Sequence, residues 1–256
     1  MSILEIQGLT RHFGGLAAVS DLDLSVPEGE FFGLIGPNGA GKTTVFNLIS
    51  GVLPPTRGKI HFRSTDITGI PPHKITRLGL ARTFQITALF QSFSVLENVL
   101  LGTYGTVRVN PLAALLNTPR ARETEKEQRD RALEILQFLG IERLRDEVAR
   151  NLPLGHQRIL ELAVALAGAP RMLLLDEPFS GLSAEEMREM IVKIGKVRER
   201  RTTVILVEHN IRIVMGICER IAVLNFGRKI AEGTSSQVSR DPEVIKAYLG
   251  AKRYAS

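Results

Sequence analysis

Cysteine is almost missing: Cys218 is the only one in 256 residues. A lone thiol excludes an internal disulfide framework and suits a reducing compartment. It stands at helical spacing from Ile211, Val214 and Met215, the pattern of a buried core thiol. Long apolar runs are also lacking, since no stretch approaches the roughly 18–20 residues that a bilayer-spanning helix needs. The start, MSILEIQGLT, has neither the basic residues nor the apolar run of a secretory signal. The expectation is a protein soluble by itself. Charge of one sign is not concentrated either. Lys and Arg number 33 and Asp and Glu 27, giving +6, but they are scattered along the chain. No RNA-binding aromatic motif accompanies them, so nucleic acid is not an expected partner. Internal repeats and low-complexity tracts are absent.

What is present fits one large α/β domain, or a core with an attached lobe. Hydrophobic residues make up 44%, enough for a substantial core. Residues 3–35 alternate apolar and polar, as in ILEIQ and LDLSV, with a turn at Pro27-Glu28-Gly29. That pattern predicts short antiparallel strands leading into a buried strand, Phe31 to Ile35. An apolar helix, VFNLISGVL, follows. Residues 86–160 read as an inserted helical lobe, in which Ala132, Ile135, Leu136 and Leu139 form an apolar stripe. The mixed charges from Arg120 to Arg131 read as a solvated helix face. Residues 1–85 and 161–256 are then the core. From Arg171 the order is strand, helix, strand: MLLLD and TTVILVE are continuous apolar runs of the kind buried in a parallel sheet. Ser183 and Glu186 form a capping box for the helix between them, with Met187, Ile191, Ile194 and Val197 facing inward. A hairpin at Asn225–Arg228 and a terminal helix, PEVIKAYLG, close the chain.

The chemistry concentrates in three places. Gly36-Pro37-Asn38-Gly39-Ala40-Gly41-Lys42-Thr43 fits the phosphate-loop pattern in full, between a buried strand and a helix. Gly36, Gly39 and Gly41 allow the backbone to turn its N–H groups onto phosphates. Lys42 places a cation on the β- and γ-phosphates, and the Thr43 hydroxyl can ligate Mg²⁺. This is a nucleoside triphosphate site. MLLLD ends in Asp176-Glu177, at the side of a parallel sheet where ligands bind. Asp176 suits Mg²⁺ contact, and Glu177 suits a general base acting on water. His209 follows the next strand, where it can meet the γ-phosphate.

A fourth stretch, NLPLGHQRILELAVALAGAP, is less regular. From Ile159 its spacing predicts a helix that Gly168 and Pro170 stop. A helix start suits an anion. Yet Pro153 has no N–H, and no Ser or Thr lies between Asn151 and Gln157. The stretch is either an anion site with a part missing or only the start of a core helix.

GPNGAGKTT, the glutamine of ARTFQ, LPLGHQ, LLLDEP, SGLS and VEH occur in the order found in ATP-binding cassette transporter ATPases. The resemblance spans nearly the whole chain. It is nearest to the ATP-binding subunit of branched-chain amino acid importers, through LTRHFGGLAAV, the long insert after ENVLLG, EHNIRIVMGICERIAVLNFG and DPEVIKAYLG. The implied fold is a P-loop NTPase core with a mainly parallel sheet, an N-terminal antiparallel β subdomain and a helical subdomain. The implied ligands are ATP and Mg²⁺. Thr44 completes the loop, Phe13 is the aromatic on which adenine stacks, and Val19 packs nearby. Gln85 touches the metal and water and links the site to a membrane partner. Leu152, Pro153, Leu154, Gly155 and His156 match the signature that completes the ATP site of a second subunit. Ser180, Gly181, Leu182 and Ser183 match the loop that crosses the dimer interface.

Three residues depart from the family's pattern: Pro153 and Leu154 replace the signature serine and the glycine after it, and Ser183 replaces an aspartate. What the resemblance leaves at this stretch to hold the γ-phosphate is Gly155 and the helix dipole. The implied partners are two permease subunits, a second ATPase (a homologous chain or a second copy) and, indirectly, a solute-binding protein. The implied location is the cytoplasmic face of a bacterial or archaeal inner membrane. In the segment after Gln85, Phe90 and Phe93 are candidates for an exposed permease groove, and Val95, Leu96 and Val99 for lobe core. Urea or amide importers, lipopolysaccharide exporters and soluble iron–sulfur assembly ATPases share these motifs. An exporter ATPase is expected to lack the insert near residues 103–125.

Overall fold

The computed structural model describes residues 1–83, 89–104 and 118–253. It contains two sheets. In the first, β1 (Ser2–Phe13) and β2 (Leu16–Pro27) form a long antiparallel hairpin, and β4 (Arg57–Phe62) with β5 (Thr65–Asp66) extends it in the order β2-β1-β4-β5. Leu4 lies opposite Phe62 and Ile6 opposite Ile60, which sets one continuous apolar face. The second sheet has six strands in the order β10-β9-β3-β8-β7-β6. These are β3 (Phe31–Ile35), β6 (Leu80–Arg82), β7 (Met172–Asp176), β8 (Thr203–Val207), β9 (Arg220–Asn225) and β10 (Arg228–Gly233). Strands β9, β3, β8, β7 and β6 run parallel, and β10 returns antiparallel through the expected hairpin.

Both faces of the six-stranded sheet are covered, which is why β3, β7 and β8 are buried at every position. The pleat divides their side chains between two cores. Phe32, Leu34, Leu174, Ile205 and Val207 face the antiparallel sheet and α1 (Lys42–Ile49). Phe31, Ile35, Leu173, Leu175 and Leu206 face the helices. On that side α3 (Val95–Tyr104) packs on α5 (Leu154–Ala167) and on α4 (Pro119–Leu139). The expected stripe Ala132, Ile135, Leu136 and Leu139 is fully buried.

Helix α6 (Ala184–Lys196) starts with the predicted capping box, the Ser183 hydroxyl accepting from Glu186 N–H while Glu186 accepts from Ser183 N–H. Of its inward set, Ile194 and Val197 are buried, and Met187 and Ile191 pack against the core while partly exposed. Helix α7 (Ile211–Ile217) precedes β9, and α2 (Pro72–Arg77), α8 (Ser235–Arg240) and α9 (Pro242–Arg253) complete the helices used below. Cys218 is buried, as its spacing predicts. Helix α5 starts at Leu154, five residues before its apolar periodicity becomes readable, and Gly168 ends it. Among the described residues no helix is long and apolar enough to cross a membrane.

The topology also positions the chemistry. β3 is hydrogen-bonded to β8, and β8 to β7, all parallel. Val207 pairs with both Leu34 and Asp176, so the segments leaving these strands emerge side by side. Those segments are Gly36–Gly41, Glu177–Ser183 and Glu208–Asn210.

Candidate nucleotide site

The loop from Gly36 to Gly41 turns sharply enough that Gly36, Gly39 and Gly41 all have positive φ, at 155°, 78° and 102°. Gly36 and Gly41 are further constrained by neighbours. A Cβ at Gly36 would lie 2.2 Å from the carbonyl oxygen of Leu224, and one at Gly41 2.4 Å from that of Ala18. Both are backbone atoms of adjoining strands, so only glycine lets the loop settle there. α1 begins at Lys42 with no side-chain cap, leaving N–H groups directed at the loop. The Lys42 ammonium is buried and donates to the carbonyls of Gly36 (2.7 Å) and Pro37 (3.0 Å). Burial pushes it below the usual lysine value, against the pull of Glu177 and Asp176.

Asp176 is buried and its carboxylate is divided in function. Oδ2 accepts from Arg82 at 2.8 Å, and that guanidinium also donates to Asn47 Oδ1 (2.7 Å) and Ser50 Oγ (3.1 Å). Oδ1 is buried and has no hydrogen-bond partner among the described residues. A buried carboxylate oxygen without a donor is costly unless something polar meets it.

Glu177 and His209 are brought together: Nε2 lies 2.6 Å from Oε1. Glu177 is only 14% exposed at its side chain and His209 49%, so the pair sits at the wall of an open cleft. Glu177 adopts φ +50°, which is strained for a residue with a Cβ. Its N–H donates to Val207 O at 2.9 Å, which holds that turn against the next strand. Glu208 supplies the other brace. It is buried, with Oε1 accepting from Phe179 N–H (3.1 Å) and Oε2 from His209 N–H (2.9 Å). One carboxylate thus ties the segment after the expected base to the segment carrying the expected histidine. The sequence reading missed both Glu208 and Arg82.

These residues line a cleft of about 460 Å³. Asn38, Gly39, Ala40, Gly41, Lys42, Thr43 and Thr44 contribute the loop side, with Glu177 and His209 beside them. Leu16, Ala17, Ala18, Phe226 and Gly227 make up the rest, none of them anticipated. Phe13 is at the tip of β1, 46% exposed beneath the Arg11 guanidinium (4.9 Å), and pairs across the hairpin with the lining residue Leu16. Val19 is fully buried in the core shared with α1. Behind the loop, the Tyr248 hydroxyl of α9 meets the Gly36 backbone, and burial pushes it up to about 12. Gln85 lies outside the described residues.

The stretch Leu152–His156 is not part of this cleft. Pro153 is the N-cap of α5 and offers no side-chain cap. The Gly155 N–H that the sequence reading reserves for a phosphate donates instead to Glu186 Oε1 at 3.0 Å. Oε2 of the same carboxylate accepts from Ser183 N–H at 2.9 Å. Hydrogen bonds from Ser183 and then Gly155 hold Glu186 below the usual carboxylate range. The chain supplies its own anion to this helix start, where the dipole favours one. Leu154 meanwhile packs close to Gly181, where an added Cβ would sit 3.1 Å from its Cδ2. The stretch expected to be the signature and the loop expected at an interface therefore touch within one chain.

A phosphate loop at the start of α1, an acid pair ending β7 and a histidine after β8 define an ATPase core. The ABC transporter family model matches residues 19–180, and the chain belongs to the ATP-binding cassette transporter family. It is an ATP-binding, ATP-hydrolysing transporter subunit of the P-loop NTPase fold.

The narrower relationship comes from three comparisons. A second family model, described as branched-chain amino acid ATP-binding cassette transporter, matches residues 228–253. The high-affinity branched-chain amino acid transport ATP-binding protein BraF of Pseudomonas aeruginosa is 43% identical over 249 residues, 97% of this chain and 98% of that protein. Among solved structures, the ADP conformation of an ATP-binding cassette of an ABC transporter aligns with TM-score 0.86 at 31% identity, covering 98% of this chain and 99% of that one. A dimeric post-hydrolysis cassette bound to ADP and phosphate aligns with TM-score 0.75 at 26% identity, covering 91% and 98%.

Proposed function

We propose that this chain is the ATPase of an importer for branched-chain or related hydrophobic amino acids. The observation that carries the solute class is the match of residues 228–253, which include β10, α8 and α9, to the branched-chain amino acid family model. That segment is part of the working structure, because Tyr248 reaches the phosphate loop. Residues 1–85 and 161–256 form the nucleotide core of a single cassette, and residues 86–160 its helical lobe.

In this reading the ATP phosphates take the N–H groups of residues 38–44 and displace the carbonyls that hold Lys42, so that its ammonium meets the β- and γ-phosphates. Thr43 and the unpartnered Oδ1 of Asp176 are the groups here that would hold Mg²⁺, and the family resemblance adds Gln85, outside the described residues. The metal would neutralise phosphate charge as the bond to the leaving oxygen lengthens. Glu177 accepts the proton of the attacking water. His209, hydrogen-bonded to that carboxylate, orients it and reaches the γ-phosphate. Phe13 provides a stacking face for adenine, with Val19 fixing the strand beneath it.

The aligned cassette dimer supports a second ATPase subunit, homologous or identical, whose Leu152–His156 faces this chain's nucleotide. Ser180–Ser183 crosses between them. Phe90 and Phe93 stack with centroids 5.2 Å apart and are 56% and 39% exposed, while Val95, Leu96 and Val99 are buried. The two rings suit contact with one of two permease subunits at the cytoplasmic membrane face. A solute-binding protein acts through those permeases and does not touch this chain. Pairing closes the nucleotides between subunits, and hydrolysis removes the charge that held them.

The test is Glu177→Gln, which keeps the side-chain shape and removes the base. ATP affinity should stay within about twofold, and turnover should fall by about 100-fold or more. Near-normal turnover sinks the assignment of the base. The solute class is tested by purifying the chain from its native membranes with its permeases and titrating the accompanying solute receptor. Leucine, isoleucine or valine should bind, and a preference for urea or a short amide overturns it.

A further inference from the structure

The tip of the β9–β10 hairpin places an aromatic ring where the fold has no use for one. Phe226 is 85% exposed, more than any other large hydrophobic side chain among the described residues except Met1. Its backbone has φ +45°, a left-handed conformation that a β-carbon disfavours and that Asn or Gly accepts readily. The residue therefore carries both apolar exposure and backbone strain. Among the described residues no ring stacking with another aromatic offsets either cost. Strain of this kind persists where the surroundings over-determine it, and it gathers at ligand sites.

The surroundings do over-determine it. Gly227 donates its N–H to Ala40 O (3.0 Å), and its carbonyl accepts from Ser20 N–H (2.8 Å). A Cβ at Gly227 would lie 2.8 Å from Ala18 O, so the tip is clamped between the phosphate loop and β2. That clamp fixes Phe226 at the wall of the nucleotide cleft together with Leu16 and Ala17, while Lys42, Glu177 and His209 give the same cleft its charge. A phosphate chain has no use for an apolar aromatic face. A nucleobase or ribose does.

We infer that Phe226 is a nucleoside-contacting residue, a second aromatic contact for the base or sugar beside Phe13. This rests on the reading of the cleft as the ATP site. Phe13 is not among the residues that line the cleft, and Phe226 is. Phe226 adds affinity for the nucleoside and none for the phosphates, and its face tolerates any base because stacking reads π-surface rather than hydrogen-bond pattern.

The experiment compares ATP with tripolyphosphate, which keeps the charges and lacks the nucleoside. Binding of each in Mg²⁺ is measured by calorimetry on the full chain and on Phe226→Ala, Phe226→Asn and Phe226→Trp. Asn relieves the backbone strain, so loss of binding in that variant cannot be blamed on a damaged hairpin. The expected result is ATP affinity lower by about five- to tenfold in the Ala and Asn variants and retained in Trp. Tripolyphosphate affinity should stay within about twofold throughout. ATP affinity unchanged in Ala and Asn overturns the proposal. So does a parallel loss for both ligands, which would place the effect in the phosphate loop. A wild-type chain that binds neither ligand overturns the reading of the cleft itself, a different outcome from either.

Discussion

Arg82→Met tests how the phosphate-side carboxylate is held. The Arg82–Asp176 pair is 2.8 Å long, and the side chains are 8% and 0% exposed, so solvent screens it little. Methionine keeps an apolar side chain and removes the guanidinium, whose Cζ lies 5.6 Å from the Phe46 ring centroid. Asp176 is then left as a buried carboxylate without the Arg82 donor, and Thr83 Oγ1 accepts from its backbone N–H rather than donating to its side chain. Removing one partner of a buried pair costs about 3–5 kcal/mol. Domains of this kind are stable by only about 5–15 kcal/mol, so the loss is large. At roughly 2–4 °C per kcal/mol, the melting temperature should fall by about 10 °C. Urea titrations of Arg82→Met, Asp176→Asn and the double variant would separate charge from packing. In the Asp176→Asn background the same substitution should cost about 2 kcal/mol less, since no charge remains to strand. A loss below about 1 kcal/mol, or an equal loss in both backgrounds, refutes the argument that Arg82 neutralises Asp176.

Gly36→Ala should destabilise the nucleotide-free chain more than Gly39→Ala, by about 1–3 kcal/mol. Both need positive φ, but only Gly36 has a backbone carbonyl 2.2 Å from the added carbon; thermal melting in the reverse order would contradict this. Cys218 should resist alkylation at pH 8, because burial pushes its thiol from 9.0 to about 12. Its modification by iodoacetamide should run at least about tenfold slower than in urea; equal rates would show the thiol to be open. The folded chain keeps that proton after the unfolded chain has lost it, so this group's contribution to stability is complete below pH 9 and declines as the pH rises towards 12.

Local pattern made the central site readable. The glycines of residues 36–41 and the acids ending MLLLD carry their chemistry within a few positions, and strand order brought them together as expected. What stayed hidden depends on partners far along the chain. Arg82 lies in the three-residue strand β6, too short for periodicity, and its meaning comes from Asp176, 94 positions away. Glu208 reads as a residue between a strand and a histidine until its contact with Phe179 is seen. Strand β4 alternates well enough, in RGKIHF, but no motif marks it as the continuation of the first hairpin. The start of α5 was misplaced because LGHQR offers no apolar spacing and Pro153 suggests an interruption. Phe226 was legible only as part of a turn, since its exposure and its place beside Ala40 are products of the fold.

Glu186 fastens two helix starts at once. The carboxylate that caps α6 also caps α5, so the segment leaving Glu177 and the helix that opens at Leu154 share one fastening. Any anion reaching that helix start would compete with Glu186 for the Gly155 N–H. Displacing the carboxylate would loosen the Ser183 turn and alter the path back to Glu177.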